Sequence, residues 1–229
     1  TKAATVHDGS PYADGLRKVF ESVFAELGGT ITSSEAVNVG DTDFKPVLTT
    51  IAAGGAEIIY FPIFEPEGNS FASQKCEVSG LENTALMGAD GLFTSGFAGT
   101  AGSCSVGMYL SSPYVAGDAG ANFLASYKAK FGEDPASGFG PHSYDAMNIF
   151  FAAIEKVAVV DEDGTVHIGR QALRDAVFAT KAFSGLTGSL SCDANGDCAT
   201  GEALAVYQIS QAMVDGSENL TTSTPIWQP

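Results

Sequence analysis

The chain has 229 residues, of which 45% are hydrophobic and 17% are charged. This length predicts one large domain or two small ones, and the hydrophobic content is sufficient for a packed core. The formal net charge is −16, from 27 acidic and 11 basic residues. Such an acidic surface repels nucleic acid and anionic lipid, which excludes a nucleic-acid-binding role. No stretch of the sequence is long and apolar enough to span a membrane.

Alternating strands and helices are predicted over the first half of the chain. Apolar runs predict strands at 3–7, 30–37, 58–61, 85–88 and 106–110. Apolar residues at helical spacing predict helices at 12–27 and 44–53, and a third helix that opens near Glu65 and ends near Val78. Short connections and strands that are apolar on both faces predict a parallel sheet with helices on both sides, a flavodoxin-like or Rossmann-like α/β lobe.

The pattern changes after the turn at 111–113. Helices are predicted at 120–131, 142–157 and 170–180, with almost no strand between 117 and 182. Strands return at 189–191 and 203–209. A helical block of this kind needs another element to cover its apolar faces.

Four cysteines allow two disulfide bridges. Cys192 and Cys198 flank a sequence of strong turn character, and the ends of a tight hairpin lie close enough to be bridged. Cys76 and Cys104 could form a second bridge, and four buried thiols are the alternative. An even count fits an oxidising compartment. No cysteine or histidine spacing is typical of zinc, so we predict no metal site.

Catalytic and cofactor motifs are not found. The sequence has no Gly-x-Ser-x-Gly elbow, and His7, His142 and His167 stand outside any motif. Neither a phosphate-binding loop nor a dinucleotide fingerprint is present, so we predict no cofactor. An enzyme is therefore the function that we rank last.

Three loops follow the carboxyl ends of predicted neighbouring strands, where open α/β sheets bind ligands. Ser10 and Tyr12 follow the first strand, Phe64 and Glu65 follow the third, and Asp90 follows the fourth. A small zwitterion with an apolar side chain would find a partner for each of its parts among a hydroxyl, aromatic rings and carboxylates. The alternative is that Asp90 only forms a turn with the glycine after it.

The order of several motifs resembles the second lobe and later segments of type I periplasmic binding proteins, most closely those of branched-chain amino acid ABC transporters. The motifs span nearly the whole chain and are His7–Gly15, Gly40–Phe44, Tyr60–Pro62 before Pro66-Glu67, Met87–Gly91, Gly140-Pro141 before Tyr144–Ala146, and Phe183–Gly188 before Asp193–Asp197.

This resemblance implies a two-lobed protein that closes around a small amino acid and delivers it to a membrane permease. It places the protein in the periplasm or outside the cell, so the protein is expected to be exported. A lipid anchor is one option for a longer parent protein. Tyr12 matches a tyrosine that contacts the ligand, and Phe64 matches an aromatic of the cleft, or Glu65 if the alignment slips by one. Asp90 matches the acid that holds the ligand's ammonium, and His142 stands where the family often has an aromatic of the other lobe.

The chain departs from the family because most of its first lobe would precede Thr1. We expect residues 1–115 and 201–229 to form the second lobe, and 116–200 to form an incomplete, mostly helical first lobe. Such a chain should bind ligand weakly or not at all, and should expose apolar helix faces or self-associate. The remaining alternatives are a carboxylic acid, aromatic acid, amide or urea-like ligand on the same fold, or a sensory receptor module.

Overall fold

A computed structural model describes residues 1–115, 117–198 and 204–228, which divide into two units. Unit 1 contains residues 1–112, 136–138 and 204–228, and unit 2 contains the described residues of 113–135 and 139–198. The boundaries predicted at 116 and near 201 lie outside the described residues, as does residue 203, at which the last predicted strand was expected to begin.

The elements are numbered along the chain. The strands are β1 (Lys2–His7), β2 (Thr30–Ala36), β3 (Ile58–Tyr60), β4 (Ala85–Gly88), β5 (Tyr109–Pro113), β6 (Val159–Val160), β7 (Val166–His167), β8 (Phe183–Gly185), β9 (Gly188–Leu190) and β10 (Leu204–Gln208). The helices are α1 (Pro11–Glu26), α2 (Lys45–Gly54), α3 (Glu67–Gln74), α4 (Phe97–Ala101), α5 (Asp118–Phe131), α6 (Gly140–Val157), α7 (Arg170–Phe178) and α8 (Gln211–Val214).

Unit 1 is built on a six-stranded sheet in the order β10-β5-β4-β3-β1-β2. The pairs β1–β2, β1–β3, β3–β4 and β4–β5 are parallel, so these strands end at one edge of the sheet. Ala4 and Val6 on one face of β1, and Ala3 and Thr5 on the other face, are all fully buried, as expected for a strand that is covered on both faces. The predicted parallel α/β sheet is confirmed for β1 to β5.

Local chemistry explains most boundaries in unit 1. The Ser10 hydroxyl caps α1, Pro11 occupies its first turn, and Gly28 follows the helix with a positive φ of 87°. The fifth strand was predicted at 106–110, and this is wrong by three residues. Residues Ser103–Ser105 form a 3₁₀ turn and Gly107 has a φ of 85°, so extended structure begins only at Tyr109.

Unit 2 contains α5, α6, α7 and two small antiparallel hairpins, β6–β7 and β8–β9. The β8–β9 hairpin is tied to α6 by Asp145, whose side chain is buried. Its carboxylate accepts hydrogen bonds from the backbone N–H groups of Leu186 and Thr187 at 2.8 Å and from the Thr187 hydroxyl at 2.7 Å. The side chain of one helix residue therefore fixes the turn of the hairpin.

Both predicted disulfides are present. Cys76 is bonded to Cys104 within unit 1, and Cys192 is bonded to Cys198 within unit 2. The alternative of four free thiols is excluded.

Candidate functional site

Three predicted site residues meet where neighbouring parallel strands end. Tyr12 follows β1, Phe64 follows β3 and Asp90 follows β4, and these strands are adjacent in the order β4-β3-β1. The Tyr12 hydroxyl donates a hydrogen bond to Asp90 Oδ1 at 2.8 Å. The rings of Tyr12 and Phe64 lie 4.8 Å apart between centroids, at an interplanar angle of 31°. Phe64 and Asp90, which lie 52 and 78 positions after Tyr12 in the sequence, thus form one group with Tyr12.

Gly91 completes this group. Its backbone N–H donates a hydrogen bond to the Tyr12 hydroxyl oxygen at 3.2 Å. A Cβ atom at position 91 would lie 2.9 Å from Phe64 Cδ1 and 3.0 Å from Phe64 Cε1, closer than side chains pack. Glycine is therefore required here so that the Phe64 ring can approach the backbone. We call Tyr12, Phe64, Asp90 and Gly91 the strand-end cluster.

The cluster presents one carboxylate beside an accessible aromatic ring. Asp90 is partly buried, and among the described residues no basic side chain pairs with it and no donor contacts its Oδ2 atom. Phe64 remains 43% exposed, unusual for a phenylalanine. A carboxylate in this position can accept a charge-assisted hydrogen bond from a positively charged ligand group.

Two tyrosines stay protonated next to this carboxylate. Burial, followed by the hydrogen bond to Asp90, raises the pKa of the Tyr12 hydroxyl well above its usual value. Burial, followed by the negative charge of Asp90, raises the pKa of Tyr60 to about 12. Tyr60 also stacks on Phe20 with ring centroids 4.5 Å apart. Both phenols are therefore neutral at physiological pH, and neither adds negative charge to the site.

Ser10 and Glu65 have other partners. The Ser10 hydroxyl accepts the backbone N–H of Ala13 at 3.1 Å as the cap of α1. Both Glu65 carboxylate oxygens accept hydrogen bonds, Oε1 from the Thr94 hydroxyl at 2.5 Å and Oε2 from Asn69 Nδ2 at 2.7 Å. Ligand contact by either residue stays a prediction, and their observed contacts are with the protein.

His142 belongs to unit 2, unlike the other five predicted residues. It lies in the first turn of α6, and its ring centroid is 6.1 Å from that of Phe139. It lines an apolar cavity of about 430 Å³ that also includes Ile149, Phe150 and Phe178. Its predicted role toward the ligand stays a prediction.

Sequence reasoning missed three residues at this edge. Gly91 was visible only as the second half of an Asp-Gly turn, because its close approach to Phe64 depends on a ring from another loop. Tyr60 was predicted only as part of a strand. Its raised pKa depends partly on the charge of Asp90, which is distant in the sequence. Thr94 carried no motif, and its bond to Glu65 joins residues 29 positions apart.

Across residues 1–115, 117–198 and 204–228, no group of three or more His, Cys, Asp or Glu side chains is placed to hold a metal ion. In the same part of the chain, no helix has both the length and the apolar character that crossing a bilayer requires.

The known proteins that match this chain agree on one family. The sequence profile described as periplasmic binding protein matches residues 1–215. The leucine-, isoleucine-, valine-, threonine- and alanine-binding protein of Pseudomonas aeruginosa is 28% identical over 196 residues, which cover 85% of this chain and 49% of that protein. The chain spans about half the length of the curated relatives it matches.

Solved structures share the fold. The leucine-binding protein LivK of Thermotoga maritima superposes with a TM-score of 0.76 at 23% identity, over 92% of this chain and 57% of that one. LivJ of Streptococcus pneumoniae, solved in complex with isoleucine, superposes with a TM-score of 0.77 at 22% identity, over all of this chain and 60% of that one. The predicted type I periplasmic binding protein fold is confirmed.

Proposed function

Because this chain belongs to the periplasmic binding protein family, we propose that its strand-end cluster binds the ammonium group of a small amino acid. The observation that carries this proposal is Asp90, a partly buried carboxylate with an unoccupied Oδ2 atom and no cationic partner among the described residues. An ammonium group would supply the missing positive charge through a charge-assisted hydrogen bond. Such a bond contributes roughly 1.5–3 kcal/mol.

The rest of the cluster suits this role. The Tyr12 hydroxyl holds Asp90 Oδ1 and thereby orients the carboxylate, and Phe64 offers an exposed apolar surface to an aliphatic side chain. The relatives that are named for binding leucine, isoleucine and valine support a branched-chain ligand.

The biological role that we propose is solute capture for import. In this role a longer parent protein works in the periplasm or outside the cell and passes its ligand to an ABC permease in the membrane. Binding, and not catalysis, is the proposed activity. His142 would be a further ligand contact in the parent protein, and closure of that protein around the ligand would exclude water from the charge-assisted bonds.

A ligand panel tests the ammonium claim. The ¹⁵N-labelled chain is titrated with L-leucine, with isopentylamine, which lacks the carboxylate, and with 4-methylpentanoate, which lacks the ammonium. The Gly91 N–H resonance reports binding, because this group donates to the Tyr12 hydroxyl. We expect leucine and isopentylamine to shift it with weak, millimolar affinity, and 4-methylpentanoate to leave it unchanged. A shift with 4-methylpentanoate alone would instead favour a carboxylic acid ligand and refute the role given to Asp90.

A further inference from the structure

The Glu65 side chain joins two loops of the candidate site. Glu65 lies in the loop between β3 and α3, and its Oε1 atom accepts the Thr94 hydroxyl at 2.5 Å. Its Oε2 atom accepts Asn69 Nδ2 from α3 at 2.7 Å. Distances this short are typical of charge-assisted bonds to a carboxylate. The carboxylate is therefore held from both sides by the protein.

Thr94 closes the loop that carries Asp90. Its backbone N–H bonds to the Leu92 carbonyl at 3.0 Å, and its hydroxyl oxygen accepts the Phe97 N–H at 3.2 Å where α4 begins. Its backbone also forms an antiparallel bridge with Ser137, in the short segment 136–138 that is part of unit 1. Glu65 thus bonds to a residue that is fixed at several points.

The same two loops touch a second time at the strand-end cluster. Phe64, the neighbour of Glu65, covers Gly91, the neighbour of Asp90, with no space for a Cβ atom between them. Two points of contact determine the relative position of the loops better than one. If the bond between Glu65 and Thr94 is lost, the loops keep the packing of Leu92 against Gly68 and of Phe64 against Gly91. The Phe64 ring, which is 43% exposed, then has no hydrogen bond beside it that holds its position.

We propose that Glu65 is a positioning residue, which acts through Thr94 to hold Phe64 against Gly91 and Tyr12, and that it does not itself contact the ligand. The effect on ligand affinity rests on the proposed function, whereas the position of Phe64 can be measured without any ligand. Glu65 would then set the distance between the aromatic wall and the carboxylate of Asp90, which determines the size of the side chain that fits between them.

The first test measures the position of Phe64 in the ligand-free chain. The nuclear Overhauser effect between the Phe64 ring and the Gly91 Hα protons, and the ring-current shift of those protons, report the contact directly. We expect Glu65→Ala and Thr94→Val each to weaken the contact signal at least twofold and to move the Gly91 shift toward its random-coil value. The double variant should show little further change in this contact, because both substitutions remove the same bond between Glu65 and Thr94. The bonds that each one also removes, from Asn69 to Glu65 and from the Phe97 N–H to Thr94, do not join the two loops.

Conservative variants separate positioning from general destabilisation. Thr94→Ser keeps the hydroxyl. Glu65→Gln can still accept from Thr94. Its amide can donate to Asn69 Oδ1, a buried atom with no hydrogen-bond partner among the described residues, once the Asn69 side-chain amide turns over, because Nδ2 is the atom that faces residue 65. Both should keep the wild-type Gly91 signals, as should the surface control Glu77→Ala. If Glu65→Ala does not fold, the comparison of Thr94→Val with Thr94→Ser is sufficient to test the positioning role. Identical Gly91 signals in Thr94→Val and Thr94→Ser would overturn the proposal.

The second test uses isopentylamine as the probe. We expect Glu65→Ala to weaken its binding three- to tenfold, and Glu65→Gln to restore most of the affinity. A loss in Glu65→Gln that equals or exceeds the loss in Glu65→Ala would indicate that the carboxylate charge contacts the amine, because both variants lack that charge, and would overturn the positioning role. If the amine binds to no variant, including the wild type, the proposed function fails, and the Gly91 measurement still decides the role of Glu65.

Discussion

At the scale of single residues, the candidate site depends on the hydrogen bond between Tyr12 and Asp90. The Tyr12 hydroxyl donates to Asp90 Oδ1 and accepts from the Gly91 N–H, so one oxygen atom connects α1 to the loop after β4. The sequence predicted that these residues meet, because the ends of adjacent parallel strands share one edge. The role of Gly91 was not predictable, since it follows from the position of the Phe64 ring.

Tyr12→Phe tests the stabilising effect of this hydroxyl. The substitution removes two hydrogen bonds and keeps the ring that packs on Phe64, so we expect the free energy of unfolding to fall by about 1–2 kcal/mol. Chemical denaturation measures the change. Tyr109→Phe is the matched control, because the Tyr109 hydroxyl has no hydrogen bond among the described residues, and it should change stability by less than about 0.5 kcal/mol. Equal effects of the two substitutions would contradict the assignment.

The raised pKa of Tyr60 predicts that the folded protein loses stability at alkaline pH. Its pKa in the folded protein is about 12, compared with about 10 in an unfolded chain. A raised pKa contributes stability that is fully present below pH 10 and is lost as the pH rises toward 12, because the unfolded state ionises first. At pH 10.5 this loss amounts to roughly 1 kcal/mol. Tyr60→Phe should lose correspondingly less stability between pH 9 and pH 10.5 in urea denaturation, and an identical loss in both proteins would refute the prediction.

At the scale of elements, apolar periodicity in the sequence was sufficient to locate a helix or strand that is long or buried. The first strand and α1 were predicted nearly to the residue, because Ser10, Pro11 and Gly28 mark the ends of the helix. The five-residue helix α4 was missed because it is too short to show a period. The fifth strand was misplaced because apolar residues near Val106 lie in a turn. Periodicity therefore locates elements that bury a whole face, and short elements depend on tertiary contacts.

The β8–β9 hairpin in unit 2 depends on one such contact. A Cβ atom on Gly185 would lie 2.4 Å from Asp145 Oδ2, and the carboxylate accepts three hydrogen bonds from the turn. Asp145→Asn replaces one acceptor oxygen by an N–H₂ group that faces donors. We expect the free energy of unfolding of unit 2 to fall by about 3 kcal/mol.

Hydrogen exchange followed by mass spectrometry measures this change on the hairpin itself. Amides in residues 183–190 should exchange faster in Asp145→Asn than in the wild type. The control is Asp175→Asn on α7, where the exposed side chain accepts one hydrogen bond from the described part of the chain, from Gln171, and it should change stability by less than about 0.5 kcal/mol. Unchanged exchange in Asp145→Asn would show that the turn is stable without the carboxylate.

At the scale of the whole molecule, α6 exposes apolar side chains on several sides. Tyr144, Met147, Phe150 and Phe151 are each between 43% and 53% exposed. A helix that is apolar all round is normally covered by other elements. Because the chain spans about half the length of its curated relatives, we propose that it self-associates through these side chains.

Light scattering and hydrophobic-dye fluorescence test this proposal. We expect the apparent mass of the chain to rise with concentration, and Phe150→Glu to lower both the mass and the dye signal. The matched control is Leu27→Glu, because Leu27 is 82% exposed but lies just after α1 in unit 1. A monomer that binds no dye at any concentration would contradict the proposal.

The central claim is that Asp90 supplies the charge that attracts the ligand. The most direct measurement compares the binding of L-leucine to the wild type, to Asp90→Asn and to the surface control Asp215→Asn, followed at the Gly91 N–H resonance. Asparagine keeps the size and loses the charge, so we predict an affinity roughly 30- to 150-fold weaker, equivalent to about 2–3 kcal/mol, with no change in Asp215→Asn. Equal affinity in the wild type and Asp90→Asn would contradict the account.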